Sequence, residues 1–200
     1  MKEIISQEEL KKLMNIKGEV RGVAIKGELD FVLKEEGEEG LKKLKDTLKE
    51  LGRPMEHKKI KPMEFYPLSL HGTIQLVIKR LFNWEDKKFQ EMGKFEAKVS
   101  LIARLFMGYF FSADRIAEEV PKMWRKYFTV GNLTVVDYDR EKQYSISRIE
   151  NFDVHPIQCQ VLLGYFSTIS QMITGGKVVG KETKCIYRGD KYHEFLFEAQ

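Results

Sequence analysis

The sequence is poor in cysteine, with only Cys159 and Cys185 among 200 residues. Two cysteines supply neither a disulfide framework nor the four-ligand spacing of a zinc finger or ribbon. Long hydrophobic runs are also missing. The most apolar stretch, residues 101–111, is short and contains Arg104, and the N-terminus has no apolar signal core. These absences predict a cytoplasmic protein without a membrane span.

The motifs of common enzyme chemistry are missing as well. The sequence has no nucleophile elbow, no phosphate-binding P-loop, no His-Glu-x-x-His motif and no dinucleotide fingerprint. The basic residues at 57–61 have no Gly-rich loop beside them, which favours a solvated loop over a phosphate site. A non-catalytic protein is therefore the favoured prediction, with enzymatic activity left open.

Composition predicts a globular domain. Hydrophobic residues make up 42% of the chain and aromatic residues 12%, which is enough to build a sizeable core. The net charge of +4 is the difference between 34 basic and 30 acidic residues that are interspersed along the chain, so we predict a solvated surface and no nucleic-acid partner. Abundant Lys and Glu with few Asn suggest a thermophilic source.

The first sixty residues predict an N-terminal helical segment. Ser6 and Glu9 have the spacing of a capping box. A brief helix is predicted to end near Gly37, and an amphipathic helix is predicted from Leu41 until Gly52 closes it. Residues 1–60 are expected to dock on the same domain as residues 61–200, although a separate lobe remains an alternative.

Residues 70–128 predict consecutive helices rich in aromatic side chains. One ends near residue 82, a short one ends at Gly93, a strongly apolar one spans 95–110, and the last starts near residue 113. Such aromatic residues usually form a core, but they are dense enough to line an apolar ligand pocket between helices and sheet. The predicted ligand-binding residues are Phe106, Phe110, Trp124, Tyr127, Phe128, Tyr165 and Phe166.

The last third of the chain sets the predicted fold. Two strands are expected within 133–149, followed by a long helix that starts near Pro156 and stops before Gly175. A hairpin then folds around the turn residues 188–191. The prediction is an α+β fold in which a helical N-terminal half packs on an antiparallel sheet, with the long helix near 155–174 across one face.

Four potential ligands for a soft metal occur in this region. Cys185 and His193 are roughly opposite each other across the predicted hairpin, and His155 and Cys159 are four residues apart at the start of the long helix. They contain no short-spaced pair of the kind that binds zinc in fingers. The favoured interpretation is a buried thiol and a hydrogen-bonded imidazole, so no metal ligand is predicted and these four residues are only weak candidates.

The order of elements, together with certain closing residues, resembles the 4-vinyl reductase domain. The resemblance covers roughly residues 90–200 and depends on Leu163-Gly164-Tyr165-Phe166, Glu182-Thr183-Lys184-Cys185, Arg188-Gly189-Asp190 and His193-Glu194-Phe195. The pattern of that domain has an acidic residue, Cys, a Gly-Asp turn, a second Cys and then Phe. Cys185 matches its first Cys, and His193 replaces its second. The superfamily includes haem–nitric-oxide-binding domains and TRAPP-type trafficking adaptors.

The resemblance implies a non-catalytic module that binds a small apolar molecule and serves a sensory or regulatory role. The alternative is a dimerising adaptor of the TRAPP type that binds a partner protein, and a weaker alternative is haem or metal binding. Haem is disfavoured because the helix near residues 120–128 contains no histidine. In addition, the stretch from Tyr144 to Arg148 sets its serines out of register with the Tyr-x-Ser-x-Arg motif that holds haem propionates in the relatives.

Overall fold

A computed structural model of the chain describes residues 4–100, 113–139 and 141–200, with side chains from residue 118 onward in the second range. Its elements in chain order are α1 (Gln7–Met14), β1 (Glu19–Arg21), α2 (Gly22–Glu50), β2 (Phe65–Pro67), α3 (Leu68–Leu81), α4 (Asp86–Val99), α5 (Ala113–Tyr127), β3 (Asn132–Asp139), β4 (Tyr144–Glu150), α6 (Pro156–Thr174), β5 (Val178–Lys184) and β6 (His193–Ala199). The predicted α+β class is confirmed.

The first helix begins as the sequence predicts, whereas α2 begins earlier than predicted, at Gly22. The capping box is present, because the Ser6 side chain accepts from the Glu9 backbone N–H and the Glu9 carboxylate accepts from the Ser6 N–H. The two helices predicted around Gly37 are both parts of α2. Gly37 marks a kink with φ 70° and ψ −174°, a conformation that residues with a Cβ rarely adopt. The glycine therefore interrupts the helical backbone where the first predicted helix was expected to end, and α2 consists of two helical segments joined across this kink.

Helix α4 does not end at Gly93 as predicted; it continues to Val99. At Gly93 the helix crosses α6 so closely that a Cβ atom would lie 2.0 Å from the Val161 carbonyl oxygen. Gly93 therefore allows the two helices to pack closely. In the sequence alone, such a glycine looks the same as one that ends a helix. Most of the apolar helix predicted over 95–110 lies outside the described residues.

The four-stranded sheet is antiparallel throughout and has the strand order β3-β4-β6-β5. Helix α6 packs on one face, where the Phe166 ring lies 6.0 Å from Phe195 and 6.3 Å from Phe197 between centroids. The predicted start and stop of this helix are confirmed. Pro156 is its first residue, and Gly175 adopts a left-handed conformation just beyond its end. The sheet with its long covering helix thus matches the prediction.

We find no helix among residues 4–100, 113–139 and 141–200 that has both the length and the apolar character needed to cross a membrane.

Candidate functional site

A small buried cavity of about 40 Å³ lies where the helices meet strand β3. Its described lining residues come from α2, α3, α4, α5, β3 and α6: Ala24, His71, Glu96, Met123, Trp124, Tyr127, Phe128, Leu133, Gln158, Val161, Leu162, Tyr165 and Phe166. The last helices thus bring together five of the residues predicted to bind ligand: Trp124, Tyr127, Phe128, Tyr165 and Phe166. The other two, Phe106 and Phe110, lie outside the described residues. That these side chains bind a ligand stays a prediction.

The aromatic wall of this cavity is fixed by stacking and hydrogen bonds. Trp124 stacks on Phe128 with 4.4 Å between ring centroids, and its indole N–H donates to the Val130 carbonyl over 2.9 Å. The Tyr127 and Tyr165 hydroxyls lie 2.9 Å apart, and Tyr127 also contacts the Ser100 hydroxyl. Burial raises the pKa of both tyrosines, so both hydroxyls stay protonated near neutral pH.

A buried polar network lies on the other side of the cavity and joins three helices. Glu28 of α2, His71 and Gln75 of α3, and Gln158 of α6 are each no more than 3% exposed. The Gln75 amide donates to Glu28 over 2.6 Å and to Gln158 over 2.5 Å, and the His71 Nε2 lies 2.8 Å from the Gln158 Oε1. The pocket is therefore not purely apolar, unlike the one expected from the sequence.

Several oxygens of this region lack hydrogen-bond partners among the described residues. They are the Glu28 Oε2, the Gln75 Oε1 and the Glu96 Oε1. The Glu28 Oε2 lies 3.4 Å from the Nδ1 of His71, close enough for an ion pair. Burial acts to lower the pKa of His71, but the charge of Glu28 together with hydrogen bonding to Glu28 and Gln158 outweighs it, and the net pKa is raised. Buried acceptors without partners are rare in folded proteins and are typical of functional sites.

Sequence reasoning missed this network. The available signal was a polar pair, His71 and Gln75, four residues apart on the otherwise apolar helix α3. Glu28 gave a weaker signal, as an acidic residue between apolar neighbours in α2. That these positions meet Gln158 depends on how the three helices pack together.

A second cluster lies at the start of α6, next to the β5–β6 turn. It consists of Cys159, Glu182, Cys185 and His193, whose ligand atoms all lie within 4.8 Å of one another. The Cys159 Sγ is 3.9 Å from the Cys185 Sγ and 3.5 Å from the His193 Nδ1, which is 3.6 Å from the Glu182 Oε1. The structure thus joins three of the four weak metal candidates and adds a carboxylate that the sequence prediction omitted.

Two of the separations between these atoms match those of a tetrahedral metal site. Zinc–ligand bonds of about 2.3 Å to sulfur and about 2.05 Å to nitrogen, at tetrahedral angles, separate two sulfurs by about 3.8 Å and sulfur from nitrogen by about 3.6 Å. The observed separations of 3.9 Å and 3.5 Å differ little from these values. Two sulfurs, one imidazole nitrogen and one carboxylate oxygen form a donor set that suits zinc.

Neighbouring groups orient the ligands of this cluster. The Nε2 of His193 lies 3.0 Å from the Phe152 carbonyl oxygen, so Nε2 carries the proton and Nδ1 presents its lone pair to the cluster. Arg188 donates to one oxygen of Glu182 over 2.9 Å, and the other oxygen, Oε1, has no hydrogen-bond partner among the described residues. The free lone pairs therefore converge on one point.

A nucleophilic role for these thiols is not favoured. Burial is the largest cause that raises the pKa of both Cys159 and Cys185, so without a cation the thiols stay protonated at neutral pH. Burial also acts to raise the pKa of Glu182, but the neighbouring His193, Cys185 and Cys159 and the charge of Arg188 together more than offset it, and the net pKa is lowered.

His155, the fourth weak metal candidate, lies outside the cluster. It is the N-cap of α6, and its Nδ1 accepts from the Ile157 backbone N–H over 3.3 Å. Burial is the main cause that lowers the pKa of His155 to about 4, and the charges of Lys79 and Arg80 add to it. Its role is to cap the helix.

The lowered pKa of His155 predicts a loss of stability in mild acid. The unfolded chain takes up this proton near pH 6.5, whereas the folded protein takes it up near pH 4. The free energy of unfolding should therefore fall as the pH drops from about 6.5 through about 4. His155→Asn keeps a capping side chain and should flatten this part of the profile in urea titrations at several pH values. Parallel profiles for the two proteins would contradict this assignment.

The cavity and the cluster are linked through Phe152 and α6. The Phe152 carbonyl accepts from His193, and its ring packs on Trp124 at 4.9 Å and on Phe128 at 5.1 Å between centroids. The adjacent residues Gln158 and Cys159 belong to the polar network and to the cluster, respectively. The two sites therefore share contacts through Phe152 and α6.

Solved structures of three proteins illustrate the fold. The structure of an H-NOX protein from S. oneidensis in the Fe(II)NO ligation state aligns with a TM-score of 0.61 at 16% identity, covering 90% of this chain and 99% of that one. An Fe(II) unliganded H-NOX mutant from K. algicida gives 0.63 at 12% identity, covering 90% and 96%. The phenol-responsive sensory domain of the transcription activator PoxR, with phenol, gives 0.54 at 16% identity, covering 78% and 90%.

These structures confirm the predicted fold. No protein-family model matches the chain, and no curated protein matches it. At such low identities the likeness establishes the fold alone, so functional inference depends on the chemistry of the site.

Proposed function

We propose that the chain is a sensory or ligand-binding module that holds a small molecule in the cavity between α3, α5 and α6. The observation that carries this proposal is the pairing of an aromatic wall with buried polar atoms that lack partners. Ligand pockets typically combine an apolar lining with a few convergent polar groups that fix orientation. The PoxR phenol-responsive sensory domain has a similar fold, which supports the proposal of a ligand-binding role.

The two tryptophans of the chain provide a direct test of ligand binding. Trp124 lines the cavity, whereas Trp84 lies elsewhere, with its indole N–H bonded to Glu36. A ligand in the cavity should shift the Trp124 indole signal in proton–nitrogen NMR spectra and leave the Trp84 signal in place. Trp84→Phe assigns the two signals. If none of a chemically diverse set of small molecules shifts the Trp124 signal, the cavity does not bind ligand.

We further propose that Cys159, Glu182, Cys185 and His193 hold a structural zinc ion. Four-ligand sites without an open position are typical of structural zinc, which contributes directly to folding. Through Phe152, this ion would keep the aromatic wall of the cavity in place. Elemental analysis of the purified protein should give close to one equivalent of zinc per chain, measured with native mass spectrometry on the same sample. A metal-free protein that takes up no added zinc would rule out the centre.

Haem is a less suitable occupant. Arg148, the residue closest to a propionate clamp in the sequence, already pairs with Glu194 over 3.1 Å and lies 3.9 Å from the Tyr192 ring centroid. The cavity of about 40 Å³ is also far smaller than a porphyrin. The alternative of a dimerising adaptor stays a prediction, which the oligomeric state in solution would test.

A further inference from the structure

We infer that the cavity is selective for a small cationic ligand that carries a primary ammonium group. This inference rests on the proposed ligand-binding function and names the chemical class of the ligand. It depends on three features of the described residues: a carboxyl group in the lining, an excess of oxygen acceptors behind it, and an aromatic wall opposite.

The carboxyl group is that of Glu96 on α4. Its Oε1 is inaccessible to solvent and has no hydrogen-bond partner among residues 4–100, 113–139 and 141–200. The side chain lies over Gly27 of α2, where a Cβ atom would approach the Glu96 Cγ to 2.8 Å. The missing side chain at position 27 thus leaves room for this carboxyl group, which lines the cavity beside Glu28, the next residue of α2.

The polar atoms around Glu96 are mainly acceptors. Two buried oxygens, on Gln75 and Glu96, lack partners here, and a third, the Glu28 Oε2, faces the Nδ1 of His71 at 3.4 Å. A primary ammonium group has three N–H donors and no acceptor, whereas an alcohol has a single donor and a carboxylate has none. The shortage of donors at this site therefore favours an ammonium over a neutral or anionic group.

The raised pKa of Glu96 also favours an ammonium group as the ligand. Burial, and then the charge of Glu28, raise the pKa of Glu96 well above its usual range, so Glu96 holds a proton when no cation is near. An ammonium ion would replace that proton and form an ion pair in a region of low dielectric constant. The rings of Trp124, Tyr127, Phe128 and Tyr165 line the same cavity, and aromatic faces attract organic cations.

The cavity volume limits the size of the ligand. An apolar cavity that binds benzene has a volume of about 150 Å³, whereas this one measures about 40 Å³. A short alkylammonium fits that space, and ethylammonium is the probe we choose. Ethanol is its neutral counterpart with the same number of non-hydrogen atoms, and acetate supplies the opposite charge.

The experiment is an NMR titration of the Trp124 indole signal with ethylammonium chloride, ethanol and sodium acetate, with sodium chloride as the control for ionic strength. We expect saturable binding of ethylammonium with a Kd in roughly the millimolar range, because so small a ligand makes few contacts. Ethanol and acetate should bind at least tenfold more weakly. Glu96→Gln should remove the preference, and the matched change Glu91→Gln, at a half-buried position of the same helix that pairs with Lys88, should retain it.

The results of this titration distinguish the proposed ammonium class from the proposed ligand-binding function. If ethanol binds as tightly as ethylammonium, or if Glu96→Gln keeps the preference for the cation, the ammonium class is wrong and the cavity remains a ligand site. If neither these probes nor a diverse set of larger molecules shifts the Trp124 signal, the ligand-binding function itself fails. The comparison of the three probes on the unmodified protein stands even if Glu96→Gln folds poorly.

Discussion

Gly164→Ala will strongly destabilise the protein, although alanine is the better helix former. The substitution adds one carbon atom in the middle of α6, where that carbon would lie 2.0 Å from the Gln90 carbonyl oxygen of α4. The obstructing atoms belong to the backbone, so no side chain can rotate away and the two helices must separate. Overpacking of a core typically costs about 1–3 kcal/mol and sometimes more, and we expect about 3 kcal/mol here.

The higher helix propensity of alanine acts against this destabilisation. Replacing glycine with alanine inside a helix stabilises it by about 1 kcal/mol when nothing obstructs the methyl group. Urea unfolding followed by circular dichroism gives the free energy of unfolding for the variant. Gly176→Ala is the matched control, because its new carbon would meet no atom within 4 Å and its φ is not positive. A Gly164→Ala protein as stable as the parent would mean that α4 and α6 do not approach so closely.

Two other glycines, Gly175 and Gly93, illustrate which parts of the fold the sequence predicts. The ends of α6 are predictable because Pro156 and Gly175 act locally, through fixed backbone angles and a left-handed conformation. Gly93 resembles the same kind of stop signal, yet its role is to let another helix approach. A glycine that ends a helix and one that packs against a distant helix look alike until the tertiary contacts are known.

In the candidate site, too, some residues could be predicted from the sequence and others could not. Five aromatic side chains of the cavity were predictable, because aromatic residues concentrate in two neighbouring helices. The polar network was not, because Glu28, His71 and Gln158 are brought together only by the packing of three helices. In the metal cluster, the opposition of Cys185 and His193 follows from the hairpin, whereas the approach of Cys159 depends on how α6 lies against the sheet.

Cys159→Ser should abolish the proposed zinc binding and lower the thermal stability of the protein. A serine hydroxyl is a much poorer zinc ligand than a thiolate, and Cys159 lies within 3.9 Å of both other soft ligand atoms, on Cys185 and His193. Binding at a free zinc concentration about a thousand times the Kd stabilises the folded state by about 4 kcal/mol. For a chain of this length, losing that contribution lowers the Tm by roughly 10 °C.

Zinc content by elemental analysis and Tm by calorimetry, measured with and without a chelator, test this expectation. The parent protein should lose stability on chelation, and Cys159→Ser should already be in the destabilised state and respond little. Glu194→Gln is the control, because Glu194 is adjacent to the ligand His193 but pairs with Arg148 outside the cluster. It should keep the zinc and its response to the chelator.

The link through Phe152 makes a further consequence measurable in the same samples. When zinc is removed, the metal no longer holds the His193 ring that donates to the Phe152 carbonyl, and the Phe152 ring packs directly on Trp124. The Trp124 indole signal should therefore shift or broaden on chelation, whereas the Trp84 signal should not. If zinc loss lowers the Tm but leaves the Trp124 signal unchanged, the metal centre stabilises the fold without influencing the cavity.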